Sequence, residues 1–280
     1  MTPRILITND DGIDAPGLRH LARAAMRQGH DVVIAAPLTE ASGTGAAMTA
    51  VEKNGKIVVE QRELPGVRTV PAYAVAASPA FIVLLALRSA FGPPPTIVLS
   101  GINRGANAGA AVVHSGTVGA TLTASHAGLH GLAVSLDVLS PANGTAASAG
   151  QAIADLDRAD DEARHWDSAA GLAMKLLPTL THTPAGTVLN LNVPDRHVDG
   201  IRGLCRATLA RFGQVQMSIA EAGEGFVRTA VQAADEPLEP GTDLAGLAAG
   251  FAVVTPIRSP AEATDVTINL ESIIVQTPAI

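Results

Sequence analysis

The first forty residues constrain the fold most. Arg4 to Thr8 (RILIT) is a short β-branched run that ends in a polar turn, NDDG. Pro16 opens a stretch in which Leu18, Leu21, Ala22, Ala25 and Met26 recur at helical spacing, and Gly29 stops it. Asp31 to Ala36 (DVVIAA) is a second short apolar run, closed by Pro37. Strand, helix, strand over this length is a βαβ unit, whose crossover returns the chain parallel to itself. Similar runs occur at Thr96 to Ser100 (TIVLS), Leu132 to Leu136 (LAVSL) and Thr187 to Val193 (TVLNLNV). Strands that are apolar almost throughout are buried on both faces, so the expectation is an α/β chain with a mostly parallel sheet between helical layers.

Composition supports a folded chain and excludes several functions. Of 280 residues 47% are hydrophobic and 16% charged, enough apolar surface for an ordinary core. The net charge of -7 gives no basic footprint for a polyanion, and seven aromatics leave little to stack bases on, so binding to nucleic-acid polymers is not expected. A single cysteine, Cys205, forms no internal disulfide, and no Cys/His spacing resembles a zinc site. With two carboxylates by position 11 and no apolar leader, the expected location is cytoplasmic. The uncharged segment from 69 to 87 approaches the length of a membrane span, but Pro71 and Pro79 interrupt it. It reads instead as a buried strand edge followed by a core helix, and no membrane association is expected.

Residues 1–195 read as the core, within which 138–163, small, polar and acidic, read as a surface insertion. A helix is expected from about Trp166 to Leu177. Residues 196–280 read as a strand-rich extension, with strands at Phe226 to Val231, Phe251 to Ile257 and Val266 to Val275 and no regular helices between them. Such an appendage suits packing against a second copy.

Ligands of open α/β sheets bind outside the carboxyl ends of the strands. There the first strand delivers Asn9, Asp10, Asp11 and Gly12; the second, Ser42 in ASGTGAAMT; the third, Asn103 and Asn107 in GINRGAN. Adjacent carboxylates repel unless a cation lies between them, and carboxylate, hydroxyl and amide oxygens suit a hard ion such as Mg²⁺ or Mn²⁺. Alone, NDDG reads more readily as a polar turn with a helix cap, and it is the two further loops that shift the balance to a cation. The segment from His114 to Gly128 (HSGTVGATLTASHAG) could present the amides of Ser115, Gly116 and Thr117 to a phosphate at a helix N-terminus, or could be close helix packing that needs small residues. Neither a P-loop nor a full GxGxxG is present. Of the histidines, His114 alone lies beside this loop.

These motifs, ITNDDGIDAPG, SGTGAAMT, LSGINRGAN and HSGTVGAT, continue into NLNVPD at 190–195 and GTDLAGLAAGFAVVTPI at 241–257. In this order they resemble the SurE (survival protein) family of metal-dependent 5′/3′-nucleotidases. The resemblance implies a Rossmann-like three-layer α/β/α core, a C-terminal extension used in a homodimer or homotetramer, and hydrolysis of nucleoside 5′-monophosphates, with the 3′ isomer left open. By matching position it makes Asp10, Asp11, Ser42 and Asn103 ligands of one divalent cation. It makes Asn107, Ser115, Gly116 and Thr117 phosphate contacts, with Asp10, Asp11 and Asn107 catalytic. Four positions depart from the family pattern: His114 replaces a usual tyrosine, Thr123 and Ala124 an acidic residue followed by glycine, and Phe81 a common acidic residue. The expected reaction is in-line attack of water on phosphorus. An aspartyl-phosphate route through Asp10 ranks below it, because that route pairs its aspartates with a distant lysine and only Lys175 lies beyond the first strands. The alternative from another class is a regulatory homologue that binds nucleotide without turnover.

Overall fold

The computed structural model describes residues 3–138, 161–211, 215–223, 226–233, 238–263 and 265. The core elements run β1 (Arg4–Thr8), α1 (Pro16–Arg27), β2 (Asp31–Pro37), β3 (Glu52–Lys53), β4 (Lys56–Ile57), β5 (Val59–Arg62), β6 (Ala72–Val75), α2 (Pro79–Leu87), β7 (Ile97–Arg104), α3 (Gly116–His126), β8 (His130–Asp137), α4 (Trp166–Thr181) and β9 (Thr187–Pro194). They are followed by β10 (Leu204–Arg206), β11 (Val215–Gly223), β12 (Phe226–Ala233), α5 (Asp243–Ala248) and β13 (Ala252–Arg258).

Nine strands form one sheet in the order β10-β13-β9-β8-β7-β1-β2-β6-β5. The six from β9 to β6 are parallel, and β5 and β13 pair antiparallel at the flanks. Alternation along β1 shows why helices cover both faces. Ile5 and Ile7 pack with Leu18 and Leu21 of α1 and with Trp166 and Ala173 of α4, while Leu6 packs on the other face with Ile82 and Val83 of α2 and Ala120 of α3. Each large side chain so buried contributes about 1.5–3 kcal/mol, which also fixes the register, since a slip of one residue would exchange the two faces. The fold is the expected α/β class with helices on both faces of a mostly parallel sheet.

The segment from 69 to 87 is the strand β6 followed by the core helix α2, and among the described residues no helix is long and apolar enough to cross a membrane. The expected helix from Trp166 runs on to Thr181, through Pro178, because Leu180 in its last turn is wholly buried. The structure also corrects the expected absence of helices after Pro194: α5 forms from Asp243, with the Thr242 hydroxyl accepting a hydrogen bond from the Ala245 amide at its start. The sheet crosses the expected boundary at 195/196. β13 pairs with β9, and its Ala252 and Val253 are fully buried, so part of the C-terminal segment is an edge of the core. β11 and β12 form a separate hairpin. Of the expected insertion at 138–163, residues 139–160 lie outside the described residues, as does the expected strand at Val266 to Val275.

Candidate active site

The carboxyl ends of β1, β2 and β7 meet at one edge of the sheet. β1 ends at Thr8, and Asn9, Asp10 and Asp11 follow in the turn that Gly12 completes at φ +101°, a conformation open to glycine and strained for other residues. The Asn9 side-chain amide donates to the Gly12 carbonyl at 2.9 Å and closes the turn. The loop after β2 docks on it through the Ala41 amide, which donates to the Asp10 carbonyl at 2.7 Å. β7 carries a register irregularity against β8 between Ser100 and Asn103, and a bulge of this kind re-aims the side chains that follow it. Its last residue, Arg104, gives its backbone amide to Asp11 Oδ2 at 3.2 Å.

Asp10 is almost wholly buried, and α3 begins directly against it. The Thr117 hydroxyl donates to Asp10 Oδ1, and the amides of Gly116 and Thr117 also bond to the carboxylate. A Cβ on residue 116 would lie 2.7 Å from Asp10 Oδ2, so only glycine lets the helix start this close. Ser115 caps α3, its hydroxyl accepting from the Val118 amide at 3.0 Å. The SGT segment is therefore brought to Asp10 itself, and the first charge its helix terminus stabilises is a carboxylate of the protein.

Burial nonetheless outweighs these hydrogen bonds and raises the pKa of Asp10. That of Asp11 is pushed up to about 7, by burial first and then by the neighbouring charge of Asp10, against the pull of Arg104. Two carboxylates held together at such a cost to ionisation are a site short of positive charge. Among the described residues no group of three or more His, Cys, Asp and Glu is placed to hold a metal. Two carboxylates with no thiolate or imidazole beside them among the described residues, on loops that also carry Ser42 and Asn103, offer oxygen chemistry that fits a hard divalent ion better than zinc. Of the neutral donors, Ser42 is exposed, with its hydroxyl donating to Glu40 Oε1 at 2.7 Å, and the Asn103 side-chain NH₂ donates to the Gly105 carbonyl at 2.8 Å. That bond turns the Asn103 amide so that its oxygen is the atom left for a ligand.

Asn107 is held by its backbone as much as by its side chain. Its amide donates to Asn192 Oδ1 at 2.8 Å, its carbonyl accepts from the side-chain amides of Asn190 and Asn192, and its side chain donates to Ser135 Oγ at 2.9 Å. The buried NLN run of β9 thus fixes the loop after β7. The same loop is held farther on by Asp243, which is fully buried and accepts from the amides of Gly109, Ala210 and Leu244.

A pocket of about 150 Å³ opens on Asp11 and is walled by Glu40, Arg104, Asp161 and Trp166. Asp161 bridges the guanidinium groups of Arg104 and Arg164, and its carbonyl accepts from the Trp166 indole at 2.6 Å. No histidine lines this pocket. Lys175, the lysine an aspartyl-phosphate route would need, lines a different cavity beside His165 and His197.

The model of the family described as survival protein SurE matches residues 5–217. The chain belongs to the SurE family. It is 36% identical over 275 residues to the 5′-nucleotidase SurE of Methanopyrus kandleri, covering 96% of this chain and 94% of that protein. It is 32% identical over 267 residues to the 5′/3′-nucleotidase SurE of Edwardsiella ictaluri, covering 91% and 89%. The crystal structure of the SurE protein from Aquifex aeolicus superposes with a TM-score of 0.72 at 26% identity, over 97% of this chain and 98% of that one.

Within this SurE-family chain the unusual residues lie off the carboxylate pair. His114 is exposed, with its carbonyl accepting from the Gly45 amide at 3.2 Å. The Thr123 hydroxyl bonds to the Gly119 carbonyl of its own helix, and Ala124 is buried against α2. Glu40, Arg104 and Asp161 at the pocket, and Asn190 and Asn192 behind it, carry no signal in their own spacing. Only the proximity of Glu40 and Arg104 in sequence to Ser42 and Asn103 could have drawn attention to them.

Proposed function

We propose that this SurE-family chain is a metal-dependent phosphomonoesterase that hydrolyses nucleoside monophosphates, with Asp10, Asp11, Ser42 and Asn103 holding one divalent cation, Mg²⁺ or Mn²⁺. The observation that supports the reading is the pair of buried Asp10 and half-buried Asp11 at the carboxyl edge of the sheet, short of positive charge. Bound there, the cation supplies Lewis-acid polarisation of a phosphoryl oxygen.

The rest of the chemistry falls to the protein. Thr117 and the α3 amides fix the Asp10 carboxylate in one orientation. Arg104, held by Asp161, places a guanidinium at the pocket mouth, where it can meet a phosphate oxygen. Asn107 holds a second phosphate oxygen from a loop that Asn190 and Asn192 make rigid. Water attacks phosphorus opposite the ester bond, and the ester oxygen departs as a hydroxyl of the nucleoside. The bonds already made to Asp10 and the distant placement of Lys175 favour water over Asp10 as the nucleophile.

The β11–β12 hairpin pairs only with itself among the described strands. We assign it, within residues 196–280, to contacts between copies in a dimer or tetramer. The departures at His114 and Thr123 touch neither carboxylate, which removes the support for a non-catalytic reading.

Asp10→Asn and Asp11→Asn test the site directly. Each should lower phosphate release from nucleoside 5′-monophosphates by at least about a hundredfold while the fold persists. Wild-type turnover in either variant would overturn the assignment, and nucleotide binding without phosphate release by the unaltered protein would favour the regulatory homologue.

A further inference from the structure

A second cavity, of about 310 Å³, lies beside the site at the carboxyl ends of β2 and β6. Leu38, Ala41, Ala50, Val51 and Ala76 give it largely apolar walls. Several main-chain groups around it are already paired: the Leu38 amide with the Val75 carbonyl, that of Val51 with Ala76, that of Ser78 with Thr49. It therefore offers surface for a flat apolar body, with the hydroxyls of Thr39 and Thr49 as polar groups at its wall. Its volume lies in the range of sites that bury small molecules, about 300–1,000 Å³.

Glu40 is the wall common to this cavity and to the smaller pocket that opens on Asp11. Its carboxylate is exposed, forms no ion pair with a cationic side chain among the described residues, and accepts one hydrogen bond, from Ser42. An ionised carboxylate accepts about four hydrogen bonds, so acceptor capacity remains. A third carboxylate next to two others adds like-charge repulsion, which a passive wall residue would not need. Vicinal hydroxyls are a neutral partner for such a group, and they lie between the phosphate and the base of a nucleotide.

We propose that this cavity takes the base of the substrate and that Glu40 accepts hydrogen bonds from its ribose hydroxyls, an inference that rests on the nucleotidase reading above. The cavity then places the nucleoside with its phosphate at Asp11. Because its walls are mainly apolar and their threonine hydroxyls can donate or accept alike, selection among bases is weak and selection for the sugar is stronger.

The test compares kcat/KM with Mn²⁺ for a nucleoside 5′-monophosphate, its 2′-deoxy analogue and phenyl phosphate, which has neither sugar nor base. Glu40→Gln should lower the ratio of ribonucleotide to phenyl phosphate by about tenfold or more, the scale of a lost charge-assisted hydrogen bond. It should also bring the ribo and deoxyribo substrates closer together. Ala50→Leu, which shrinks the cavity and leaves Glu40 in place, should lower the same ratio through KM while preserving the preference for ribose. A parallel fall on all three substrates in Glu40→Gln would make Glu40 part of the metal site and overturn the proposal. Unchanged ratios in both variants would also overturn it. An unaltered protein that releases phosphate from phenyl phosphate and from neither nucleotide would refute the nucleotidase reading itself.

Discussion

Gly116→Ala is the smallest change that separates the position of Asp10 from its chemistry. The added Cβ would stand 2.7 Å from Asp10 Oδ2, 2.9 Å from its Cβ and 3.1 Å from its Cγ. Ordinary contact begins near 3.4 Å, so either the carboxylate or the start of α3 must yield by about 0.7 Å. The Thr117 hydroxyl and the two amides that grip Asp10 sit in the same turn, so their hydrogen bonds lengthen with it. Misplacement on this scale costs about a hundredfold in rate, and disturbed orientation of a metal ligand costs about ten- to a hundredfold in affinity. Stability should change far less. Alanine is a better helix former than glycine by roughly 0.5–1 kcal/mol, which offsets part of the local strain. The expected result is therefore a protein that melts within a few degrees of the unaltered chain, binds Mn²⁺ at least about tenfold more weakly by titration calorimetry, and has kcat/KM reduced by about a hundredfold. A folded Gly116→Ala protein with unchanged metal affinity and turnover would refute the claim that Asp10 must sit where α3 holds it.

Two further outcomes follow from the same geometry. Asn192→Ala leaves the half-buried Asn107 amide without its acceptor, which should cost about 1 kcal/mol or more in chemical denaturation and raise KM for the nucleotide; an unchanged denaturation midpoint would contradict the role of β9 in holding that loop. In metal-free protein the Asp11 carboxyl is pushed from 3.8 up to about 7, so the folded state binds more protons than the unfolded state across that interval. Stability should fall as pH rises between those values, and the shift in melting temperature on adding Mn²⁺ should grow over the same range. A shift independent of pH from 5 to 8 would contradict the raised carboxyl.

Much of the fold is legible because burial writes itself into the sequence. RILIT, DVVIAA and TVLNLNV are strands covered on both faces, and they need apolar side chains almost throughout. β3, β4 and β5 escape such a reading because they are almost wholly exposed; in VEKNGKIVVEQR only Asn54-Gly55, both at positive φ in the turn between β3 and β4, signals a hairpin. The C-terminal edge was legible as strands but not as part of the core sheet, because the antiparallel pairing of β13 with β9 joins residues far apart in the chain.

The site divides similarly. The strand-end rule gathers Asp10, Asp11, Ser42 and Asn103 without coordinates, since each follows a readable strand. The hydroxyl of Thr117 was expected to face a phosphate, yet it donates to Asp10, a contact across 107 positions that no local pattern encodes. Asp161 escaped because it borders a stretch of acidic residues, where its two arginine partners are invisible. Asp243 was visible only within a longer family motif, although three buried amides depend on it.

The most direct measurement of the central claim is phosphate release from a panel of nucleoside monophosphates by chelator-stripped protein, before and after adding Mn²⁺ or Mg²⁺. The account predicts negligible release without metal and restored release with it, abolished again by Asp11→Asn. Equal release with and without metal, or none from any nucleotide once metal is bound to folded protein, would contradict it.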